Sequence, residues 1–118
     1  MHYQRTVLWR KAMKLALSVY KLVPGLPREE VYGMRSQLTR AAISIPANIA
    51  EGWTGESSAE KAHFLAIAHG SLSEVETLLT LCEDLYWFPH DQTTGARSLI
   101  EETSRMLTSM RRRRRRER

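Results

Sequence analysis

The chain has 118 residues, 42% hydrophobic and 26% charged, the size and balance of one ordinary globular domain. Its net charge of +5 comes from the last eight residues: these hold seven arginines and one glutamate, while residues 1–110 sum to −1, so attraction to nucleic acid is not a property of the whole body. No apolar run approaches the ~20 residues of a membrane span. Met1-His2-Tyr3-Gln4-Arg5 lacks a signal-peptide core, and the lone Cys82 excludes an internal disulfide framework, so a cytoplasmic protein away from membranes is expected.

At about 100° per residue, four segments show helical stripes. Over residues 4–23, Leu8, Ala12, Leu15, Ala16, Val19 and Leu22 share a face that Trp9, Met13 and Tyr20 widen. Pro24-Gly25-Leu26-Pro27 ends this helix, with glycine suited to its C-terminal cap. A second helix is predicted from Pro27-Arg28-Glu29-Glu30, where proline and two acids suit a first turn. Its main stripe is Val31, Met34, Leu38, Ala41, Ala42, Ile45 and Ile49, and a weaker one carries Tyr32, Ile43 and Ala50. Pro46 frees the carbonyl of Ala42 and is expected to kink it. Gly52-Trp53-Thr54-Gly55-Glu56 breaks the chain, and Ser57-Ser58-Ala59-Glu60 reads as a capping box. The third helix is predicted to about Trp87, with Phe64, Ile67, Ala68, Ser71, Leu72, Val75, Leu78, Leu79, Cys82, Leu85 and Tyr86 on one side. Asp91 caps a fourth helix that runs through Met110, with Ala96, Leu99, Ile100, Thr103, Met106, Leu107 and Met110 on one face. Short loops between long helices predict an all-α, antiparallel up-down four-helix bundle over residues 1–110. Residues 111–118 are expected to be a disordered, arginine-rich tail.

No constellation points to an enzyme, a cofactor or a metal. Glu60-Lys61-Ala62-His63 is a single Glu-x-x-His pair, where a di-iron bundle needs two. His63 and His69 lie about 240° apart on their helix and cannot chelate one ion. Cys82 sits mid-stripe as a small hydrophobe. Gly52-Trp53-Thr54-Gly55 lacks the Lys-Ser/Thr of a phosphate-binding loop.

Gln37, Arg40, Ser44, Asn48 and Glu51 form a polar line on the second helix, either a solvent-facing stripe or one in which Asn48 serves backbone groups released by Pro46 or bonds across a helix interface. On the first helix, Arg10, Lys14 and Lys21 fall within about 40° of one another, with Lys11 nearby. Arg28 and Arg35, seven apart, extend this candidate ridge. It reads equally as a phosphate-binding surface or as residues that are simply a solvated face or pair with a neighbouring subunit's acids. Arg111, Arg112, Arg113, Arg114, Arg115 and Arg116 read as a nucleic-acid arm or as an incidental solvated extension. The wide apolar arc of the first helix and the second stripe of the second exceed one bundle's needs. Residues 1–50 carry eight basic and two acidic side chains and residues 51–110 three and ten, which suits a head-to-tail assembly of copies.

Ser44-Ile45-Pro46-Ala47-Asn48-Ile49-Ala50-Glu51-Gly52 resembles the hallmark of a bacterial family of small four-helix bundle proteins, encoded within intervening sequences of 23S ribosomal RNA genes and once labelled S23 ribosomal proteins. Val7-Leu8-Trp9 with Ala12 and Tyr20 is similar to the family's first helix, and Tyr32-Gly33-Met34 with Gln37-Leu38 and Arg40-Ala41-Ala42 is similar to the approach to that segment. Ala66-Ile67-Ala68-His69-Gly70-Ser71-Leu72-Ser73-Glu74-Val75-Glu76 is similar to the family's third-helix signature. The fourth helix is generic, and the arginine tail departs from the pattern. The resemblance implies a homopentamer, kinship with the accessory protein of diversity-generating retroelements (a pentamer that binds nucleic acid and reverse transcriptase), and no catalytic residues. The leading expectation is a non-enzymatic oligomer associated with RNA or DNA. The alternative is a scaffold for a protein partner, with Trp53 as the contact.

Overall fold

The computed structural model describes residues 6–117, the side chain of Glu117 excepted. Four helices, α1 (Val7–Leu22), α2 (Met34–Thr54), α3 (Ser58–Asp84) and α4 (His90–Glu117), make up the described chain, with no strand among the described residues. α2 packs on α1 and α3, and α4 packs on the same two, around one shared core. The predicted start of the first helix at Gln4 lies outside the described residues; within them Thr6 caps α1, its hydroxyl accepting the Trp9 N–H at 3.1 Å. Leu8, Ala12, Leu15, Ala16 and Val19 enter the core, whereas Met13 and Tyr20 remain exposed. α1 ends by tightening into a 3₁₀ turn at Val23–Gly25.

α2 begins later than the sequence predicts. Arg28–Glu30 is a separate 3₁₀ turn, and Val31 and Tyr32 are exposed. The chain turns at Gly33, which has a φ of −106° and a ψ of −108°. There the Glu30 carboxylate accepts the Met34 N–H at 3.0 Å. A Cβ on Gly33 would stand 2.8 Å from that carboxylate oxygen, so a larger residue there would displace the capping Glu30 side chain. The helix then continues through Pro46 and Gly52 to Thr54. Gly52 is therefore not a breaker. It is buried where α3 crosses, and a Cβ there would meet Leu65 at 3.0 Å and the Lys61 carbonyl at 3.3 Å.

Ser57 caps α3 as expected, accepting the Glu60 N–H at 3.0 Å, and the Glu60 carboxylate reaches back to the Glu56 N–H at 3.1 Å. The buried face of α3 is Leu65, Ala68, Leu72, Val75, Leu79 and Cys82. This is a slightly rotated version of the predicted stripe: Leu65 replaces Phe64 and Ile67, which lie at its margins. α3 stops before Trp87, because the Trp87 N–H bonds back to Cys82 O and the Tyr86 N–H to Glu83 O. That closure puts Tyr86, 93% exposed, at a φ of 61°, the left-handed cap position usually held by glycine. α4 starts at His90 with Asp91 in its first turn, and buries Thr93, Ala96, Ile100, Thr103 and Leu107.

The expected disordered tail is instead helix. α4 continues through Arg111, Arg112, Arg113, Arg114, Arg115 and Arg116 to Glu117. Arginine is a good helix former, and positive charge in a last turn complements the helix dipole.

Candidate nucleic-acid interface

The fold separates charge along its axis. Gly25 lies against Phe88, so the α1–α2 and α3–α4 connections meet at one end, which carries Glu29, Glu30, Glu83, Asp84 and Asp91. At the other end Thr6, Val7 and Leu8 share an open groove of about 570 Å³ with Trp53, Arg105 and Arg113, beside the arginines that finish α4.

On α1, Arg10, Lys14 and Lys21 are exposed, as the ridge requires. Lys11 departs from it: its ammonium lies 2.5 Å from the Glu102 carboxylate of α4, and that hydrogen bond holds the carboxyl below its ordinary pKa. Part of the charge complementarity between the chain's basic and acidic halves is thus spent within one chain. Arg28 and Arg35 are exposed but do not share a helix, since the turn at Gly33 separates them. Arg105, Arg112, Arg115 and Arg116 line an open groove of about 630 Å³ along α4 with Ser104, Thr108 and Ser109.

The helical phase turns Arg111 and Arg114 the other way, toward α3. Arg111 Nη1 stands 2.8 Å from His69 Nδ1. Burial, and then the Arg111 charge, lower the His69 pKa, so the neutral imidazole accepts this bond. Trp53 sits on the last turn of α2 rather than in a loop, half-buried in the groove beside α1 and α4.

The polar side chains of Ser44 and Asn48 in the hallmark segment bond within the bundle. Asn48 Nδ2 donates to the Ser44 carbonyl at 2.8 Å and to Ser44 Oγ at 2.9 Å, and Ser71 Oγ of α3 donates to Ser44 Oγ at 2.7 Å. Asn48 thus serves Ser44 and not the Ala42 carbonyl freed by Pro46. Both Asn48 bonds stay within α2, and the bond across to α3 is made by Ser71 to Ser44. Pro46 is buried against the core, while Gln37, Arg40 and Glu51 face solvent.

A cluster that the sequence reading missed lies at the acidic end. Glu83 accepts from Arg97 and, at 2.6 Å, from Thr93 Oγ1, with His90 Nδ1 at 3.3 Å. Arg97 chiefly, with Thr93 and His90, pulls the Glu83 pKa down to about 2 against the opposing effect of burial. His90, Thr93 and Arg97 come from seven, ten and fourteen residues further along the chain, on the next helix, beyond the reach of one helix's periodicity. Cys82 is fully buried, and burial foremost, then Glu30 and Glu83, push its pKa up to about 11. Glu60 and His63 are exposed. Among the described residues no group of three or more His, Cys, Asp or Glu side chains is arranged to hold a metal ion, and no helix is long and apolar enough to cross a membrane.

A family model described as the 23S rRNA-intervening sequence protein matches residues 4–109. The chain is also similar to the crystal structure of a protein of unknown function from the S23 ribosomal protein family of Bacteroides thetaiotaomicron. The two are 27% identical with a TM-score of 0.81, over 88% of this chain and 97% of that one. No curated protein matches. The match of the family model stops at residue 109, so Arg111 to Arg116 lie beyond it.

Proposed function

The chain belongs to the 23S rRNA-intervening sequence protein family, and on that premise we propose that it is a non-enzymatic, cytoplasmic, RNA-associated oligomer of antiparallel four-helix bundles. The antiparallel order is supported by contacts that pair Ser44 with Ser71 and Gly52 with Leu65 across α2 and α3, and Glu83 with Arg97 and His69 with Arg111 across α3 and α4. In each pair of helices one sequence number rises as the other falls. Assembly, with the pentamer that the resemblance implies, is supported by Met13, Leu17, Tyr20 and Ile43, which are 37–55% exposed on α1 and α2. The first three fall within about 60° on α1, adjoining the core stripe, and a second copy of the chain would cover them.

One observation carries the RNA reading. The exposed cations Arg10 and Lys14 of α1 and Arg105 of α4, the last 3.6 Å from the Glu101 carboxylate, flank the Lys11–Glu102 pair, and α4 continues the surface through Arg112, Arg115 and Arg116. Repeated guanidinium and ammonium groups without base-reading side chains give phosphate affinity without sequence choice, and that affinity falls steeply with salt. The test is single-stranded RNA binding by the full chain across a salt series, with the solution mass measured alongside. Changing Arg10, Lys14 and Lys21 together to Gln is expected to lower the log–log salt slope by about 0.7 for each phosphate that the variant no longer neutralises. Absent or salt-insensitive binding refutes the RNA reading, and a monomeric mass at micromolar concentration refutes the oligomer.

The groove that Trp53 shares with Val7, Met106 and Met110 favours a second reading, a scaffold for a protein partner. Equal recovery of every co-purifying protein by wild type and Trp53→Ala argues against it.

A further inference from the structure

The apolar stripe that α4 presents to the core does not end where the apolar residues do. Thr103 and Leu107 are followed at helical spacing by Arg111 and Arg114, which put guanidinium groups where a shorter bundle would put leucine. There they meet Ala62 and Leu65 of α3. With Arg115 they enclose a cavity of about 60 Å³, at least four times the roughly 10–15 Å³ that one water requires. Among the described residues no acidic side chain lines it. Glu60, two residues before Ala62 and so about 200° around α3, turns one carboxylate oxygen back to the Glu56 N–H.

Arg114 lines this pocket, and its Nε, packed away from solvent, has no hydrogen-bond partner among the described residues. A buried charged donor without an acceptor is unfavourable, and guanidinium forks match phosphate oxygens in shape and charge. Arg111 is already held toward the cavity's edge by His69, so part of the fork is oriented in advance. The positive end of α3 begins at Ser58, one turn away, and adds to the same field.

We propose that Arg111, Arg114 and Arg115 form a binding site for one phosphate group at the junction of α3 and α4. The phosphate belongs to a nucleic-acid backbone or is free inorganic phosphate; the oxyanion chemistry is common to both. In the nucleic-acid case the site deepens the RNA reading above and rests on it, anchoring one phosphate while Arg105, Arg112 and Arg116 track its neighbours along the open face of α4.

The test uses the full chain, with chloride adjusted to hold ionic strength constant. Inorganic phosphate is expected to raise the wild-type Tm saturably and to shift the Arg114 Nε–H resonance in a nitrogen–proton spectrum. Arg114→Met, which suits the apolar stripe, is expected to retain helical circular dichroism and to lose at least tenfold in apparent phosphate affinity. Arg112→Met, on the open face, retains that affinity. Equal Tm in phosphate and chloride with an unmoved Arg114 resonance overturns the site, as does an equal phosphate response of the two variants. The resonance is read on wild type, so it decides the matter even if Arg114→Met fails to fold. An RNA oligonucleotide that displaces phosphate from Arg114 identifies the backbone as the source. RNA binding by a protein that ignores phosphate overturns the site and leaves the RNA reading standing. Phosphate binding by a protein that ignores RNA supports the site for free phosphate and overturns the RNA reading.

Discussion

Replacing Glu83 by Gln tests how the acidic end of the bundle is held. In the folded chain this carboxylate takes hydrogen bonds from Arg97 and Thr93 with His90 beside it, at 15% side-chain exposure. Its pKa falls from 4.5 to about 2. At about 1.4 kcal/mol per pH unit that displacement sets a ceiling of about 3 kcal/mol, and partial solvent access brings the expected contribution to about 2–3 kcal/mol. Because the folded pKa is depressed, this stability is fully present above the unfolded pKa near 4.5 and is lost as pH falls from about 5 toward 1. Gln keeps the size and an acceptor oxygen but cannot ionise. Urea unfolding, which leaves ion pairs unscreened, is expected to show the deficit at pH 7 and to show it shrinking below pH 4.5. With an unfolding entropy of about 2.1 cal/mol/K per residue, the deficit corresponds to a Tm about 8–12 °C lower at neutral pH. A deficit independent of pH, or one under about 0.5 kcal/mol at pH 7, refutes the reasoning.

Four further outcomes follow from the packing. Gly52→Ala places a methyl 3.0 Å from Leu65 and 3.3 Å from the Lys61 carbonyl, so despite alanine's better helix propensity it is expected to cost about 1–2 kcal/mol by chemical denaturation; an increase in stability would show that α2 and α3 are not in close contact there. Asn48→Ala removes two hydrogen bonds to Ser44 and is expected to cost about 1 kcal/mol, an idea that an unchanged melting temperature removes. Tyr86→Gly relieves a left-handed backbone at an exposed position and is expected to stabilise by about 0.5–1 kcal/mol; a loss in urea titration contradicts the assigned cap. Cys82, buried with its pKa near 11, is expected to resist a thiol-specific disulfide reagent at pH 8 until the chain unfolds, and modification within seconds in native buffer counts against its burial.

Features decided by local chemistry were legible in the sequence. Ser57 and Glu60 announce the start of α3 because a cap needs only four consecutive residues, and the core stripe of α4 follows from its period alone. The start of α2 was hidden, since Arg28-Glu29-Glu30 satisfies every rule for a first turn. Only the backbone of Gly33 shows that the Glu30 carboxylate caps a helix four residues further on. The face of α3 was blurred for a different reason: Phe64, Leu65 and Ile67 are all apolar, and a 27-residue helix with apolar residues on several sides does not fix its own phase. Packing against Gly52 decides for Leu65.

The arginines of α4 show how composition and phase can lead to opposite readings. Six arginines in a row, counted, are a solvated arm, and nothing distinguishes one from the next. Placed on the helix that Leu107 and Met110 have already oriented, they are no longer equivalent. Arg112 and Arg116 face solvent along α4, Arg113 lines the groove beside Trp53, and Arg111 and Arg114 continue the core stripe. Only those last two come under desolvation with α3 behind them, and Arg114 is the one left with a buried donor unmatched. A mobile arm would bind phosphates interchangeably and would lose affinity evenly as each arginine is removed. An arm locked in phase should not: replacing Arg114 and replacing Arg112 are different perturbations of one sequence, and the difference between them measures how far the helix, rather than the charge, makes the site.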